Sequence, residues 1–525
     1  MTSTDHQHPG GGPGSGPGDG PGPGDTARPG RWLALAVLVF AVLLVAVDAT
    51  VLGLATPFLS EDLKPSGTQL LWIGDVYSFV IAGLLVSMGS LGDRIGRKKL
   101  LLTGAVAFGA VSVLNAYATS PEMMIVARAL LGVAGATLMP STLALIRNIF
   151  HDPKERSLAV GVWGAAASAG AAVGPVVGGV LLENFWWGSV FLINLPVMAV
   201  LVVVGIKLLP ESKDPSPGPW DMLSVLLSLV GMVAVVYAIK EAAVHGFRWD
   251  IGVSAVVGVG ALYWFVRRQR TLPSPLLDMR LFQHRGFSGA VLADLLTILG
   301  LSGLVFFLSQ FLQLVQERTP LNAGLIELPA AVGAVAAGLT AGFLARRASV
   351  RLAVSGGLTA VGLSLLACTV FTSDTGEVAL GCALFLGGLG AGLAFTVTAD
   401  VILSSVPKEQ AGAASAVSET AYELGAALGI ALLGSIVTGI YRGFPVPAGV
   451  PADVAAAAHD SLGGAVESAA ALPRDQAFAL LESARDSFTD GFQTAALAGA
   501  LVLFATAVAA WIMLRGQKLE EGIEH

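Results

Sequence analysis

Long apolar stretches separated by short polar breaks fill the chain from Trp32 onward. Each stretch holds about 18–26 residues, the length of helix that crosses the ~30 Å hydrocarbon core of a bilayer. This pattern predicts an all-α integral membrane protein. Its fourteen predicted spans lie at residues 32–58, 68–90, 98–118, 122–147, 157–182, 187–209, 220–240, 251–267, 286–313, 322–345, 350–371, 376–402, 411–440 and 492–514.

Composition supports the same class and excludes others. The 525 residues are 54% hydrophobic and 13% charged, with a mean hydropathy of +0.74. Soluble domains carry about a quarter charged residues, so a soluble enzyme is excluded. The net charge of −7 provides no basic surface for nucleic acid, and we expect no nucleic-acid partner. Cys368 and Cys382 lie in apolar stretches, where small apolar packing is their expected role.

Enzymatic and cofactor sites are not predicted either. The seven histidines all fall in tails, breaks or loops, and no His-Glu-x-x-His zinc motif occurs. The sequence also lacks the Gly-Lys-Ser/Thr phosphate loop that an ATP-driven pump needs. We therefore expect no metal, no cofactor and no enzymatic activity.

Both ends of the chain are predicted to face the cytoplasm. Most of the 30 Lys and Arg residues fall in breaks on the same side as the N-terminus, and Lys and Arg in short loops mark the cytoplasmic side. The Gly- and Pro-rich residues 1–31 are expected to form a disordered tail, and residues 515–525 a second cytoplasmic tail. The expected location is the cell membrane (inner or plasma), with a multi-pass topology and lipid on all sides.

One predicted outer segment, residues 441–491, is far longer than the other breaks. It is rich in alanine and acidic residues, and its apolar positions Phe478, Leu481 and Ala484 recur at helical spacing. Short amphipathic helices over the outer face and a solvated connector are both consistent with this pattern.

Charged residues inside predicted spans are the first candidates for function, because charge is costly in hydrocarbon. Asp48 and Asp75 lie at similar depths in adjacent antiparallel spans, where two carboxylates would share a proton or hold a cation. Arg128 is the single cation well inside a predicted span. Acids or carbonyls of a neighbouring helix are its expected partners, and the local field of a proton carrier would depend on it.

The second half of the chain carries a further group of acids. Asp294 lies in the ninth predicted span, and Glu419 and Glu423 in the thirteenth, at i and i+4 on one helix face. We interpret these three residues as sites of proton coupling or of cation binding. Glu327 and Asp400 lie near span ends, where an interfacial role competes with a functional one.

The break between the second and third predicted spans carries a dense polar motif. Glycines at 89 and 96 permit tight turns and close helix approach. The carboxylate of Asp93 would pair with a helix N-terminus or with an arginine, forming a breakable latch for a cytoplasmic gate. The motif residues are Gly89, Asp93, Arg94, Gly96 and Arg97.

The fifth predicted span carries glycines at regular intervals and one proline. Glycines spaced in this way form a groove that lets another helix pack very close. A proline within the helix removes a backbone hydrogen bond and permits a bend. The residues concerned are Gly161, Gly170, Gly174, Pro175, Gly178 and Gly179.

These motifs resemble those of the major facilitator superfamily. The segment 89–101 is similar to that superfamily's most diagnostic signature, and the glycines of the fifth span resemble its antiporter motif, which marks drug exporters. The string from Asp48 to Pro57 is similar to a motif of the fourteen-helix drug:proton antiporters, the EmrB/QacA family. The strongest likeness is to QacA/SmvA-type quaternary-ammonium exporters, carried also by residues 72–78, 128–132, 139–142, 191–196, 209–212 and 416–425.

The resemblance implies a major facilitator fold that works by alternating access. Its parts would be an N-terminal six-helix bundle at 32–209, two additional central transmembrane helices in 210–285, and a C-terminal six-helix bundle at 286–514 that includes the outer segment 441–491.

The resemblance also implies roles for individual residues. Asp48, Asp75 and Glu419 would serve protonation or cation recognition, and Arg128 would assist proton coupling. The sequence departs from the QacA-type pattern at Ala334, which stands where that pattern has an acid for divalent cationic drugs. Whether Glu327, seven residues earlier, replaces this acid is open.

The function expected from these residues and this resemblance is proton-coupled multidrug efflux. The protein would act as a monomeric secondary active transporter that exports lipophilic, mainly cationic compounds in exchange for protons. The alternative is an exporter of one specific antibiotic or secondary metabolite, with the buried acids serving protons alone.

Overall fold

The structure, a computed structural model, describes residues 30–65, 67–213, 221–245, 248–273, 275–407 and 410–517. Every regular element in these residues is helical. The predicted tail at 1–31 lies almost wholly outside the described residues, as does the end of the predicted tail at 515–525.

The first half of the chain forms the N-bundle, which we define as α1 to α7. Helix ends in this half follow local capping: the Ser120 hydroxyl accepts a hydrogen bond from the Met123 amide, and Asp152 caps the next helix at a proline start. The helices are α1 (Arg31–Leu63), α2 (Gly67–Ile95), α3 (Arg97–Ala116), α4 (Pro121–Ile149), α5 (Pro153–Asn184), α6 (Ser189–Leu192) and α7 (Asn194–Leu208).

The second half forms an accessory hairpin of two helices and then the C-bundle, which consists of α10 to α14 and α17. A π-helical turn at Phe311–Val315 extends α10. The helices are α8 (Met222–His245), α9 (Trp249–Gln269), α10 (Arg285–Gln310), α11 (Pro320–Arg347), α12 (Val350–Cys368), α13 (Glu377–Ser404), α14 (Ala411–Tyr441), α15 (Ala452–Asp460), α16 (Leu462–Ala469) and α17 (Arg474–Met513).

The helices match the fourteen predicted spans in order and approximate position. Thirteen helical segments of the described residues are long and apolar enough to cross a membrane. Helix α5, with 32 residues, occupies the position of the remaining predicted span. The sixth span is interrupted between α6 and α7. The hydropathy pattern did not predict this break, because the mean hydropathy of Ser189–Leu208 stays high despite the single polar residue Asn194.

The segment 441–491 is folded rather than an open connector. It contains α15, α16 and the first part of α17, whose 40 residues greatly exceed the length needed to cross a bilayer. The Tyr441 hydroxyl donates to the Ala458 carbonyl at 2.7 Å and so ties this segment to the end of α14. The amphipathic-helix interpretation is therefore the one that the structure supports. The helix that contains the last predicted span, 492–514, begins earlier, at Arg474.

The accessory hairpin packs between the two bundles, with α8 against both α2 and α14. Its ends are held by Arg268, whose guanidinium contacts the Asp221 carboxylate at 2.8 Å. Hydrogen bonding to Arg268 lowers the pKa of Asp221 to about 2, so this pair stays charged at physiological pH. The hairpin therefore is a packed part of the fold and covers one seam between the bundles.

We call the face at which α1 begins and α17 ends the terminal face, and the other the opposite face. The two bundles contact each other through α2 with α14, α5 with α11 and α13, and α4 with α14. Trp163 of α5 stacks on Phe395 of α13, with ring centroids 6.0 Å apart. The bundles thus meet as two packed units rather than as one continuous helical array.

Close helix approach inside the C-bundle predicts a large difference between two glycine substitutions. A Cβ at Gly388 of α13 would overlap the Ala330 carbonyl of α11, whereas a Cβ at Gly356 of α12 would meet no atom within 4 Å. We expect Gly388→Ala to lower the melting temperature of the purified protein by several degrees, because the backbones must separate. Gly356→Ala should leave it unchanged or slightly higher, since alanine favours helix. Equal melting temperatures would contradict this packing.

Candidate functional site

A buried ion pair lies at the centre of the N-bundle. Arg128 of α4 contacts the Asp48 carboxylate of α1, with 3.3 Å between the guanidinium nitrogen and Oδ2. The Arg128 and Asp48 side chains are 2% and 1% exposed, so neither is solvated from outside. Arg128 Nε also donates to the Ile73 carbonyl of α2 at 3.3 Å. The predicted partners of Arg128, an acid and a carbonyl of neighbouring helices, are therefore those that the structure shows.

Three uncharged side chains complete this network, and sequence reasoning assigned none of them to it. Asn194 donates to Asp48 Oδ1 at 2.9 Å and to the Ser112 hydroxyl at 3.0 Å. The Tyr77 ring lies 4.5 Å from the Arg128 guanidinium, a cation–π contact. The sequence signals for Asn194 are its place as an amide between apolar residues of the sixth span and its place in the string 191–196. We call Asp48, Arg128, Asn194, Ser112 and Tyr77 the N-bundle polar network.

Asp75, the predicted partner of Asp48, lies in α2, three residues after Trp72. Its side chain is outside the described residues. Its predicted role in proton sharing or cation binding therefore stays a prediction.

The acids predicted in the second half of the chain come together in the C-bundle. Asp294 of α10 is fully buried, and its Oδ2 accepts a hydrogen bond from the Ser418 hydroxyl of α14 at 2.8 Å. Glu419 is 5% exposed, and Glu423 lies one turn further along α14, half-buried. The three carboxyl groups are close enough to influence one another electrostatically. We call Asp294, Glu419 and Glu423 the C-bundle acids.

The C-bundle acids differ from Asp48 in their surroundings. In the described part of the chain, neither Asp294 nor Glu419 contacts a basic side chain, and one carboxyl oxygen of each is buried without a hydrogen-bond partner. Buried acids without a cation are costly, and a proton or a bound cation relieves that cost. The described residues contain no group of three His, Cys, Asp or Glu side chains placed to hold a metal ion.

Glu327 and Ala334 both lie in α11, two turns apart. Glu327 is half-buried near the opposite face, and its Oε1 has no hydrogen-bond partner among the described residues. Ala334 is 7% exposed, and its carbonyl lies where a Cβ at Gly392 of α13 would be. The Ala334 backbone therefore packs directly against α13, while one carboxyl oxygen of Glu327 is left without a hydrogen-bond partner in the described part of the chain.

The predicted latch residue Asp93 joins the two bundles at the terminal face. Its carboxylate accepts hydrogen bonds from the amides of Gly412 and Ala413, both at 3.0 Å, at the N-terminus of α14. Arg97 contacts the same carboxylate at 2.7 Å. Both predicted partners, a helix N-terminus and an arginine, are thus present together, and a helix N-terminus favours a negative charge.

Glycines of the same motif allow this close approach. A Cβ at Gly89 would overlap the Gly412 carbonyl of α14, and Gly96 has φ of 112°, which permits the tight turn from α2 into α3. Glu211, after α7, accepts hydrogen bonds from the Lys98 and Lys99 amides at 3.2 Å. Arg94 lies half-buried at the end of α2. The motif therefore connects α2, α3, α14 and the segment after α7.

Two further contacts close the terminal face, and the sequence pattern did not identify them as pairs. Arg156 of α5 contacts Asp400 of α13 at 2.9 Å, and Ser157 donates to the other Asp400 oxygen. Arg147 of α4 donates to the Val406 carbonyl at 2.6 Å. Each contact links the N-bundle to the C-bundle. The signal available in the sequence was the placement of Arg156 and Asp400 at span ends on the same predicted side.

The glycines of α5 serve two different helix contacts. Gly161 faces Gly338 of α11, across the bundle interface, whereas Gly170 and Gly174 face α1 inside the N-bundle. Gly178 is buried and Gly179 has open space around its Cα. The side chain of Pro175 lies outside the described residues. The single groove predicted from the sequence is therefore two grooves, because successive glycines point to different sides of the helix.

Two helical bundles that close against each other at one face, with buried acids in each, are the architecture of a secondary transporter. The family comparison agrees, because the family model described as "Major Facilitator Superfamily" matches residues 38–430. The chain belongs to the Major Facilitator Superfamily and is a multi-pass membrane protein.

Relatives with a described role are similar over almost their full length. The chain is 49% identical over 479 residues to the "Multidrug efflux pump LfrA" of Mycolicibacterium smegmatis, covering 91% of this chain and 95% of the relative. It is 38% identical over 488 residues to the "Methyl viologen resistance protein SmvA" of Salmonella typhimurium, covering 92% and 98%. The fold is similar to a crystal structure of the human organic anion transporter MFSD10, with TM-score 0.59, 15% identity, and coverage of 91% of this chain and 100% of that one.

The contact between Gly161 and Gly338 predicts that a single methyl group opens the terminal face. A Cβ at Gly161 would overlap the Gly338 carbonyl, whereas a Cβ at Gly179 meets no atom within 4 Å. We expect Gly161→Ala to lengthen the distance between spin labels at Lys154 and Arg347, two exposed positions at the ends of α5 and α11. The labels require a background with Cys368 and Cys382 replaced. Gly179→Ala should retain the distance distribution of the parent, and an unchanged distribution in both variants would contradict the assignment.

Proposed function

We propose that this protein is a proton-driven exporter of lipophilic, mostly cationic compounds. The observation that carries the proposal is the contrast between two buried acid sites. Asp48 is paired with Arg128, while Asp294 and Glu419 contact no basic side chain in the described residues. The names of the relatives LfrA and SmvA, which describe multidrug efflux and methyl viologen resistance, support the same substrate class.

The orientation follows from the distribution of basic residues. The terminal face carries most Lys and Arg and is the cytoplasmic face. The contacts of Asp93, Arg156 and Arg147 join the bundles at this face and support a state that is closed toward the cytoplasm. The protein then lies in the cell membrane with both termini in the cytoplasm. One chain contains both bundles and works as a monomer.

Protons and substrate compete for the same carboxylates in this mechanism. In the outward-facing state, acids near the pocket take protons from the exterior, and the loss of negative charge weakens binding of the cationic substrate, which leaves. Return to the inward-facing state releases the protons to the cytoplasm. Charged C-bundle acids then attract the next substrate cation.

The N-bundle polar network would couple proton binding to the change of state. Protonation of Asp48 removes the negative charge that faces Arg128, and this leaves a buried guanidinium with fewer stabilising contacts. The helices that carry the network, α1, α2, α3, α4 and α7, must adjust to a changed charge balance. Rocking of the N-bundle against the C-bundle is the motion available to a fold of two packed units.

The latch at Asp93 would set the energy of the closed cytoplasmic face. Its carboxylate lies at the N-terminus of α14, the helix that also carries Glu419 and Glu423. Movement of α14 therefore alters both the gate and the acid site. This places substrate binding and gating on one helix.

Transport in everted vesicles tests the coupling. When the vesicle interior is acidified, we expect wild-type protein to accumulate ethidium inside the vesicles. Asp48→Asn and Asp75→Asn should each reduce the initial rate of uptake at least tenfold, because an asparagine side chain does not bind and release a proton. Asp475→Asn, at an exposed position of α17, is the matched control and should transport like wild type.

The same assay separates the alternatives. Ethidium movement that does not depend on the proton gradient would exclude proton-driven export. Transport of a neutral antibiotic with no movement of any cationic dye would instead favour export of one specific compound. Unchanged rates in both aspartate variants would remove these two acids from the mechanism.

A comparison of charged and uncharged ligands tests whether the C-bundle acids recognise cations. Glu419→Gln keeps the shape of the side chain and removes its charge, so the Kd for ethidium should rise by about tenfold, equivalent to about 1.4 kcal/mol. The Kd for an uncharged compound such as chloramphenicol should change by less than about twofold, because no charge is lost from its complex. Equal effects on both compounds would show that Glu419 shapes the pocket and does not recognise cations.

A further inference from the structure

Asn194 is a buried amide at the point where the sixth span is interrupted. It is the first residue of α7, after the short helix α6, and it is 1% exposed. Its Nδ2 donates to Asp48 Oδ1 at 2.9 Å and to the Ser112 hydroxyl at 3.0 Å. Its Oδ1 is buried and has no hydrogen-bond partner among the described residues. A buried amide with one end engaged and the other unengaged has capacity for a second arrangement.

We propose that Asn194 is a positioning residue that stabilises both the charged and the protonated form of Asp48 by rotation of its side-chain amide. In the charged form, Nδ2 donates to the carboxylate. In the protonated form, the amide turns by 180° and its Oδ1 accepts a hydrogen bond from the Asp48 hydroxyl. This inference rests on the proposed function, since it assumes that Asp48 gains and loses a proton during transport.

The hydrogen-bonding inventory of the network supports this assignment. An ionised aspartate only accepts hydrogen bonds, and protonation at Oδ1 adds one O–H donor. Arg128 has no acceptor atom, and the Ile73 carbonyl already accepts from Arg128. The Oδ1 of Asn194 has no partner among the described residues and can accept this hydrogen bond, because rotation about the last side-chain bond exchanges the positions of the amide oxygen and nitrogen.

Ser112 completes the exchange. Its hydroxyl accepts a hydrogen bond from Asn194 Nδ2 in the structure, and a hydroxyl both donates and accepts. After rotation, the Ser112 hydroxyl donates to the amide oxygen in place of accepting from the nitrogen. The proton comes from the exterior and binds Asp48 Oδ1, and no other covalent bond forms or breaks.

Few other groups compete for this proton. Arg128 from α4 and Tyr77 from α2 are the titratable side chains that face Asp48 in the described residues. Helix α5, which packs along α1, contributes the glycines 170 and 174 there, and α6 carries no charged residue. Asp75 also lies in α2, with its side chain outside the described residues. Among the described residues, Asn194 is the side-chain amide that donates to this carboxylate.

Substrate-induced proton release measures the protonation of the transporter directly. Purified full-length protein in detergent and weak buffer is mixed with ethidium over a range of pH, and the released protons are measured with an indicator dye. Asn194→Leu keeps the branched shape and removes both polar atoms. Asn115→Leu is the matched control, because Asn115 is an equally buried amide whose Nδ2 donates to its own helix, at the Val111 carbonyl.

We expect the pH of half-maximal release to rise by about one unit in Asn194→Leu, because the charge-assisted bond to the carboxylate is the stronger of the two bonds lost. Asn115→Leu should keep the wild-type midpoint. If Asn194→Leu does not fold, the pair Asn194→Ala and Asn194→Ser replaces it. The serine variant, whose hydroxyl donates and accepts, should lie between alanine and wild type.

Three outcomes would overturn the inference. A wild-type midpoint in Asn194→Leu, or equal midpoints in the alanine and serine variants, would show that the amide does not act on Asp48 while leaving proton-coupled export intact. An equal shift in Asn115→Leu would show a general effect of losing a buried amide. Absence of proton release from the wild type at every pH would instead refute the proposed function, and this inference with it.

Discussion

Charge buried in an apolar helical bundle must be satisfied by the protein itself, and the pair of Asp48 with Arg128 is where this constraint acts most strongly. Both side chains are almost fully buried, so removal of either partner leaves an uncompensated charge far from water. Asn194, Ser112 and Tyr77 surround the pair with hydrogen bonds and an aromatic face. Five helices of the N-bundle therefore contribute side chains to one buried polar network.

The buried acids of the C-bundle are subject to the same constraint, but their surroundings are different. Asp294 and Glu419 are buried without a basic neighbour in the described residues, so their cost is relieved only by a proton or by a cation from outside. The N-bundle thus supplies a counter-charge to its buried acid, whereas the described residues of the C-bundle supply none to Asp294 and Glu419. The Asp93 carboxylate, at the N-terminus of α14, links the second site mechanically to the closed terminal face.

Much of the fold was predictable because hydropathy is a local property. Stretches near the length of a bilayer predicted the helices, and scarce charges within them, such as Asp48, Arg128 and Asp294, predicted where polar contacts would occur. Local patterns do not report partners. The pairing of Arg156 with Asp400 joins residues far apart in the chain, and the Asn194 amide carries no charge that would distinguish it within an apolar stretch.

The sequence by itself determined the class of protein, the order of its spans and the identity of its buried charges, because each follows from residue type and spacing along the chain. Only the tertiary structure decided which charges are paired. It placed Arg128 beside Asp48 and left Asp294 and Glu419 without a cation among the described residues. It also divided the glycines of α5 between two neighbouring helices and folded residues 441–491. Those outcomes depend on how helices rotate and pack against one another, which no single helix encodes.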